Sequence, residues 1–315
     1  LIDVGDIRLE VHECVAGDYG AESLPNAAQV ASAAHPQRLA LCLHGFPEHA
    51  HAWRHQMEPL AALGYRVWAP NLRGYGNSSR PPRLRDYAIE RLLDDVAGLM
   101  DASGATETVL IGHDWGALVA WFFAMRRVRP LDRLAILNVP HPAPLARELR
   151  VSGRQRRMSW YALFFQLPLL PQWVMSRKDA RGIAEMFQTA TVRPGAIKAE
   201  DAEVFARNVR SPGAAKAMID YYRALGVGGG AARQRRLGFP LIETPTLLIW
   251  GEQDLALTKA STYGTEDWVN SLLVRYLPQA SHWVQQDDSE MVNAMLTAFV
   301  SGETVPHALD AQDDL

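Results

Sequence analysis

The chain has only two cysteines, Cys14 and Cys42, in 315 residues. Two distant thiols make no disulfide framework, so the fold must rest on a hydrophobic core, and a reducing cytoplasm is the expected setting. Long apolar runs are also missing. Those around Ala117–Met125 and Leu163–Val174 are broken by Gln and Pro or fall short of the roughly 20 residues that a membrane span needs. Asp3, Asp6, Arg8 and Glu10 interrupt the opening residues, which argues against a signal peptide. Neither sign of charge prevails: 32 Lys and Arg against 35 Asp and Glu leave −3. That balance gives no whole-chain attraction for nucleic acid or an anionic membrane. No internal repeat is present.

What is abundant is core material. Hydrophobic residues make up 48% and charged residues 21%, and the length suits a single α/β core carrying an insertion. Strand-like runs recur at Ile7–Val11, Leu39–Leu43, Tyr65–Ala69, Thr108–Ile111, Leu134–Val139, Thr246–Trp250 and Leu272–Tyr276. Helical patterns lie between several of them, at Trp53–Leu63, Ile89–Ser103, Ala117–Arg127 and Ser289–Val300. This alternation predicts an α/β fold, a mostly parallel sheet flanked by helices, with Ile7–Val11 and Leu39–Leu43 as an antiparallel edge.

The alternation stops after Val139. From Pro140 to Glu243 the chain is rich in Arg and aromatics, with Pro breaks, and strand resumes at Thr246. The expected division is a core over 1–139 and 244–302, an inserted helical cap over 140–243, and a frayed polar tail over 303–315. Between Pro140 and Glu243 there are 17 Lys and Arg against 8 Asp and Glu. The plain reading is a solvated basic surface, and the sharper one is a steering field for an anionic substrate. Gly17–Pro36, rich in Ala, Gly and Ser, reads as a loop longer than most.

The chemistry gathers in a few short segments. In Thr108-Val-Leu-Ile-Gly-His-Asp-Trp-Gly-Ala-Leu-Val-Ala-Trp121, a buried-strand pattern runs through a tight turn into a helix. Gly112-His113-Asp114-Trp115-Gly116 fits a nucleophile elbow, with Asp where esterases have Ser. Asp114 would also suit a helix N-cap. As a nucleophile, a carboxylate attacking an sp³ carbon gives an alkyl ester that water must then hydrolyse.

An elbow of this type belongs to the α/β-hydrolase pattern, in which nucleophile, acid and histidine follow in that order. The acid is expected at Asp254, just past the Thr246–Trp250 strand, with Glu252 the nearest alternative. The histidine is expected at His282, in the loop before the last helix. His282 would deprotonate the hydrolytic water while Asp254 holds its tautomer. After the strand Leu39–Leu43, the turn Gly45-Phe46-Pro47 could present the Phe46 amide to an oxyanion, alongside the Trp115 amide.

These segments together resemble the epoxide hydrolases of the α/β-hydrolase superfamily. The likeness is carried by His44-Gly-Phe-Pro-Glu48, Arg73-Gly-Tyr-Gly-Asn-Ser78, Gly112-His-Asp-Trp-Gly116, Trp250-Gly-Glu-Gln-Asp254 and His282-Trp283. It implies an active site between core and cap, a small-molecule epoxide and water as reactants, and no metal or organic cofactor. It also implies two cap tyrosines that protonate the epoxide oxygen. The first falls in Tyr161-Ala-Leu-Phe-Phe-Gln-Leu-Pro168; the second falls in Tyr221-Tyr222-Arg223, where the pattern points to Tyr222 with Tyr221 the alternative. Haloalkane and haloacid dehalogenases share the nucleophile and relay, but need halide donors, often a cap His–Trp pair, that Ala162 and Leu163 do not supply. A non-catalytic ligand-binding protein of this fold would carry a broken triad. Monomer and homodimer both remain open.

Overall fold

The computed structural model of the chain describes residues 1–16 and 37–308, so the 17–36 loop and residues 309–315 of the expected tail lie outside the described residues. Nine strands run in chain order among the described residues. They are β1 (Ile2–Val4), β2 (Ile7–Leu9), β3 (Val11–Cys14), β4 (Arg38–Leu43), β5 (Arg66–Pro70), β6 (Glu107–His113), β7 (Arg133–Leu137), β8 (Thr246–Gly251) and β9 (Leu272–Leu277). The first two pair as a separate antiparallel ribbon. The other seven form one sheet in the order β3-β5-β4-β6-β7-β8-β9, with β3 antiparallel to β5 and every other pair parallel.

This corrects the expected edge. Leu39–Leu43 lies inside the sheet, parallel to β5 on one side and β6 on the other, and the antiparallel edge is Val11–Cys14 alone. The physical reason is visible in β4 itself: Leu39 to Leu43 are all buried, the unbroken apolar pattern of a strand covered on both faces. The Ile7–Val11 run divides at Glu10, whose amide donates to Ser78 Oγ at 2.9 Å instead of continuing a ladder.

The two faces sort the strand residues by parity. Leu39, Leu41, Leu110, Ile136 and Leu248 face one core cluster, while Ala40, Cys42, Ile111, Ala135, Leu137 and Ile249 face the other. Helices α1 (Met57–Ala62), α2 (Ile89–Ser103) and α3 (Trp115–Arg126) follow β4–β6, and α12 (Val284–Asp287) and α13 (Ser289–Ser301) close the chain. The expected helix over Trp53–Leu63 is shorter. Trp53 ends a 3₁₀ turn that buries its indole completely, and the α-helix starts at Met57.

Between β7 and β8 the described chain has no strand in the sheet. It holds α4 (Pro142–Val151), α5 (Gly153–Met158), α6 (Trp160–Phe164), α7 (Leu170–Ser176), α8 (Arg181–Ala190), α9 (Ala199–Arg210), α10 (Ala214–Leu225) and α11 (Gly230–Leu237). Polar ties fasten this stretch to the sheet loops. Asp201 takes His51 Nε2 at 2.6 Å and Arg54 Nη2 at 3.0 Å, Asn208 Nδ2 donates to the Glu48 carbonyl at 2.9 Å, and the Tyr221 hydroxyl donates to the Arg73 carbonyl at 2.8 Å. Arg73 in turn forks onto buried Asp95, at 2.6 and 2.5 Å. No helix of the described residues is long and apolar enough to cross a membrane.

Candidate active site

Between the end of β6 and the first residue of α3 the backbone turns at Asp114, with φ 48° and ψ −118°. A side chain at positive φ is strained and needs its surroundings to hold it. The two flanking glycines explain how the turn closes. A Cβ on Gly112 would lie 2.6 Å from the Gly116 carbonyl oxygen, and one on Gly116 only 2.1 Å from the Leu43 carbonyl oxygen. Gly116→Ala is accordingly expected to lower stability by about 3 kcal/mol, through overpacking against backbone that cannot yield. Chemical denaturation would measure it, and an unchanged midpoint would refute the packing account.

The Asp114 carboxylate stands at the C-terminal edge of the parallel strands, where ligands collect in open α/β sheets. Phe46, in the loop after β4, donates its amide to Oδ1 at 2.6 Å. His282 brings Nε2 to 3.5 Å from Oδ2. On the far side of the imidazole, Nδ1 meets Asp254 Oδ2 at 2.7 Å. Asp254 is a saturated carboxylate: Oδ1 accepts from the amides of Ala256 and Leu257 at 2.7 and 2.9 Å, and Oδ2 also accepts from Asn138 Nδ2 at 3.0 Å. Glu252, the alternative acid, is engaged by Lys259 at 2.6 Å. Trp115 opens α3, so its amide is among those at a helix start with no intrahelical acceptor.

Three residues that sequence reasoning missed support this line. Asn138, fully buried at the end of β7 with φ 48°, accepts the Gly251 amide at 2.8 Å while donating to Asp254, and so locks the β8 turn. His113 Nε2 donates to the His282 carbonyl at 2.8 Å, and Nδ1 faces Glu48 Oε2 at 2.8 Å. Both side chains are fully buried. The only signal for the last pair was their presence within motifs already quoted, His44–Glu48 and Gly112–Gly116.

The charges are tightly coupled. Burial works against the Asp114 carboxylate, but the hydrogen bond and charge of His282, the charge of His113 and the Phe46 amide outweigh it, so its pKa lies below the usual value. For His282, burial disfavours the imidazolium, and Asp254 together with the hydrogen bonds to Asp114 and Asp254 overcomes it. Its pKa stands well above 6.5. At neutral pH the pair is carboxylate and imidazolium.

Two apolar cavities meet at Asp114. One, of about 300 Å³, is lined by Phe46, Met158, Tyr161, Tyr222, His282 and Trp283 among others. The second, of about 500 Å³, is lined by Trp115, Leu118, Tyr161, Leu163 and Tyr222 among others. Asp114, Tyr161 and Tyr222 border both. Tyr161 comes from α6 and Tyr222 from α10, with ring centroids 6.0 Å apart. Burial first, and then the Asp114 charge, pushes the Tyr161 phenol up, with a smaller push from Asp254. The same two causes, with Tyr161 added, raise Tyr222 against a hydrogen bond from Trp115. Both therefore remain O–H donors across the neutral range. Tyr221, by contrast, has its hydroxyl committed to the Arg73 carbonyl. One metal-type cluster occurs among the described residues, Glu10, His12 and His49. None of the three borders these cavities, and Glu10 already accepts from Asn71 and Asn77.

Comparison with known proteins follows the same lines. The family model described as alpha/beta hydrolase fold matches residues 41–289. Epoxide hydrolase 4 of Mus musculus is 33% identical over 308 residues, which span 96% of this chain and 79% of that protein. Epoxide hydrolase 3 of Xenopus tropicalis is 34% identical across 88% of this chain and 75% of its own length. The crystal structure of the Bacillus megaterium epoxide hydrolase with an inhibitor superposes with a TM-score of 0.82 at 29% identity, covering 95% of this chain and 99% of that one. The chain therefore belongs to the α/β-hydrolase family and, within it, to the epoxide hydrolases.

Proposed function

We propose that the protein converts epoxides to vicinal diols through a covalent ester on Asp114, with Tyr161 and Tyr222 donating to the epoxide oxygen. The observation that carries this reading is the meeting of an ionised carboxylate and two protonated phenols at the junction of two apolar cavities. A carboxylate oxygen attacks one ring carbon and the C–O bond breaks. The departing oxygen takes a proton from a tyrosine, which is sound chemistry because an alkoxide is far more basic than a phenolate. Residues 140–243 act as a cap over the core segments 1–139 and 244–302, since they supply both phenols.

The second half-reaction gives His282 its part. While Asp114 is ionised, it helps hold the proton on the imidazole. Esterification removes that negative charge, so the His282 pKa falls; the imidazolium proton restores the phenolate left by ring opening, and the neutral ring is then a base for water. Water gives a proton to His282 as it attacks the ester carbonyl, and the Phe46 and Trp115 amides receive the oxyanion; the acyl C–O bond then breaks, the departing oxygen takes the added hydroxyl's proton, and the diol leaves Asp114 ionised. Asp254, held by three donors besides the imidazole, keeps the ring oriented.

A single turnover in ¹⁸O-water is the direct test. The first diol should carry an unlabelled oxygen taken from Asp114, and the label should appear in the Asp114 carboxylate. Label entering the diol at once would reject the ester. A pH prediction follows as well. Turnover is expected to fall as pH drops through the His282 pKa of the esterified enzyme, because an imidazolium accepts no proton. The alkylation rate should hold to lower pH, since the Asp114 pKa is depressed. Steady-state and rapid-quench profiles with the same acid limb would contradict this assignment.

A further inference from the structure

The insertion carries apolar surface that the fold leaves uncovered. Trp160, Leu163, Leu169 and Trp173 are exposed by 62, 76, 79 and 59%, all within 14 residues of α6, α7 and the loop between them. Val227, 69% exposed, is tied to the loop between these helices, its amide donating to Gln166 Oε1 at 3.2 Å. Isolated exposed apolar residues need no explanation, but a contiguous group of large ones marks a contact surface.

Two observations say what kind. The first is charge. Between residues 147 and 181 lie eight Lys and Arg against two Asp and Glu, and all eight are exposed. Of these eight, only Arg181 has a carboxylate partner among the described residues, Glu185, while Arg177 lies over the Trp173 ring at 5.4 Å. Exposed tryptophan and leucine bordered by unpaired arginine is the chemistry of an anionic lipid interface, where indoles sit at headgroup depth and guanidinium groups meet phosphate. The second is position. Trp160 borders the smaller cavity and Leu163 the larger, so the uncovered face is also the rim of both routes to Asp114.

We propose that the α6–α7 face docks on an anionic lipid bilayer, so that lipophilic substrate passes from the membrane into the two cavities without crossing water. The docking stands by itself; the substrate transfer rests on the epoxide reading. Cations close to such a surface each strengthen attachment by a few-fold, so the preference for anionic lipid should reach about tenfold or more and weaken with salt.

Sedimentation with sucrose-loaded vesicles tests it, using phosphatidylcholine with and without phosphatidylglycerol. The whole protein should pellet with the phosphatidylglycerol vesicles and remain largely in solution with the others. Leu169→Ser combined with Trp173→Ser should abolish pelleting while turnover of a small water-soluble epoxide stays at the wild-type rate, since neither residue borders a cavity. Arg154→Glu with Arg157→Glu reverses charge without touching the apolar residues, and should lower the preference for phosphatidylglycerol by about tenfold or more. Wild-type protein that stays in solution with both lipids overturns the proposal, as does undiminished pelleting of both variants. So does a dimer by light scattering that falls to monomer in the Leu169/Trp173 variant without vesicle binding, since a second copy would then cover the face. Vesicle binding without epoxide turnover would reject the reaction and leave the docking standing; turnover without vesicle binding would do the reverse.

Discussion

A His282→Gln protein is expected to react with one epoxide molecule and then stop. Glutamine preserves most of the side-chain length and can still donate toward Asp254, but it cannot take a proton from water. The first half-reaction needs only the Asp114 carboxylate and a tyrosine proton, so the ester should form and persist. Steady-state turnover should fall by about 10³–10⁴, the upper range for loss of a general base. Intact-mass measurement should find one added substrate mass, and peptide mapping should place it on Asp114. Asp114→Ala supplies the contrast. It removes the acceptor of the Phe46 amide and the partner of His282, so it should lose about 10⁴-fold or more in turnover with no adduct at all. An adduct on any other residue, or free turnover in the His282→Gln protein, would sink the two-step scheme.

How far these features could be read from the sequence depended on the physics behind each. The strands of the sheet declared themselves because a strand buried on both faces is an unbroken apolar run, as Leu39–Leu43 and Thr246–Trp250 are. Their order did not. Neighbours in a parallel sheet are chosen by crossovers, and nothing in Leu39–Leu43 itself says that β5 and β6 flank it. The elbow was legible because its glycines answer a steric demand that only glycine meets. Asn138 was invisible for the opposite reason. Its place depends on φ 48° and on two hydrogen-bond partners more than 100 residues away, Gly251 and Asp254.

The insertion was harder still. Helix α6 is five residues long and, though Tyr161 is partly buried, none of its residues is fully shielded from solvent, so it has no periodic face to read. The choice between Tyr221 and Tyr222 also lies beyond local pattern, because adjacent helical residues point about 100° apart and only packing decides which one looks inward. Here the Arg73 carbonyl takes the Tyr221 hydroxyl and leaves Tyr222 beside the cavities.

That arrangement makes the tyrosine pair the sharpest probe of the substrate. Tyr161→Phe and Tyr222→Phe each keep a ring that packs against Phe165, at centroid distances of 6.0 and 4.8 Å, so the fold should be little affected. Each single variant should slow alkylation by only about tenfold, because the remaining phenol can still donate to the opening oxygen. The double variant has no donor, and its alkylation rate should drop by about 10⁴, with more than additive loss because the two phenols serve one atom. Affinity for epoxide should change far less than the rate, since the proton is needed most in the transition state. A departing halide needs no proton. If the double variant lost little rate on an epoxide, or if the wild-type protein released halide from haloacetates faster than it opened styrene oxide, the tyrosines would be packing residues and the dehalogenase reading would take over.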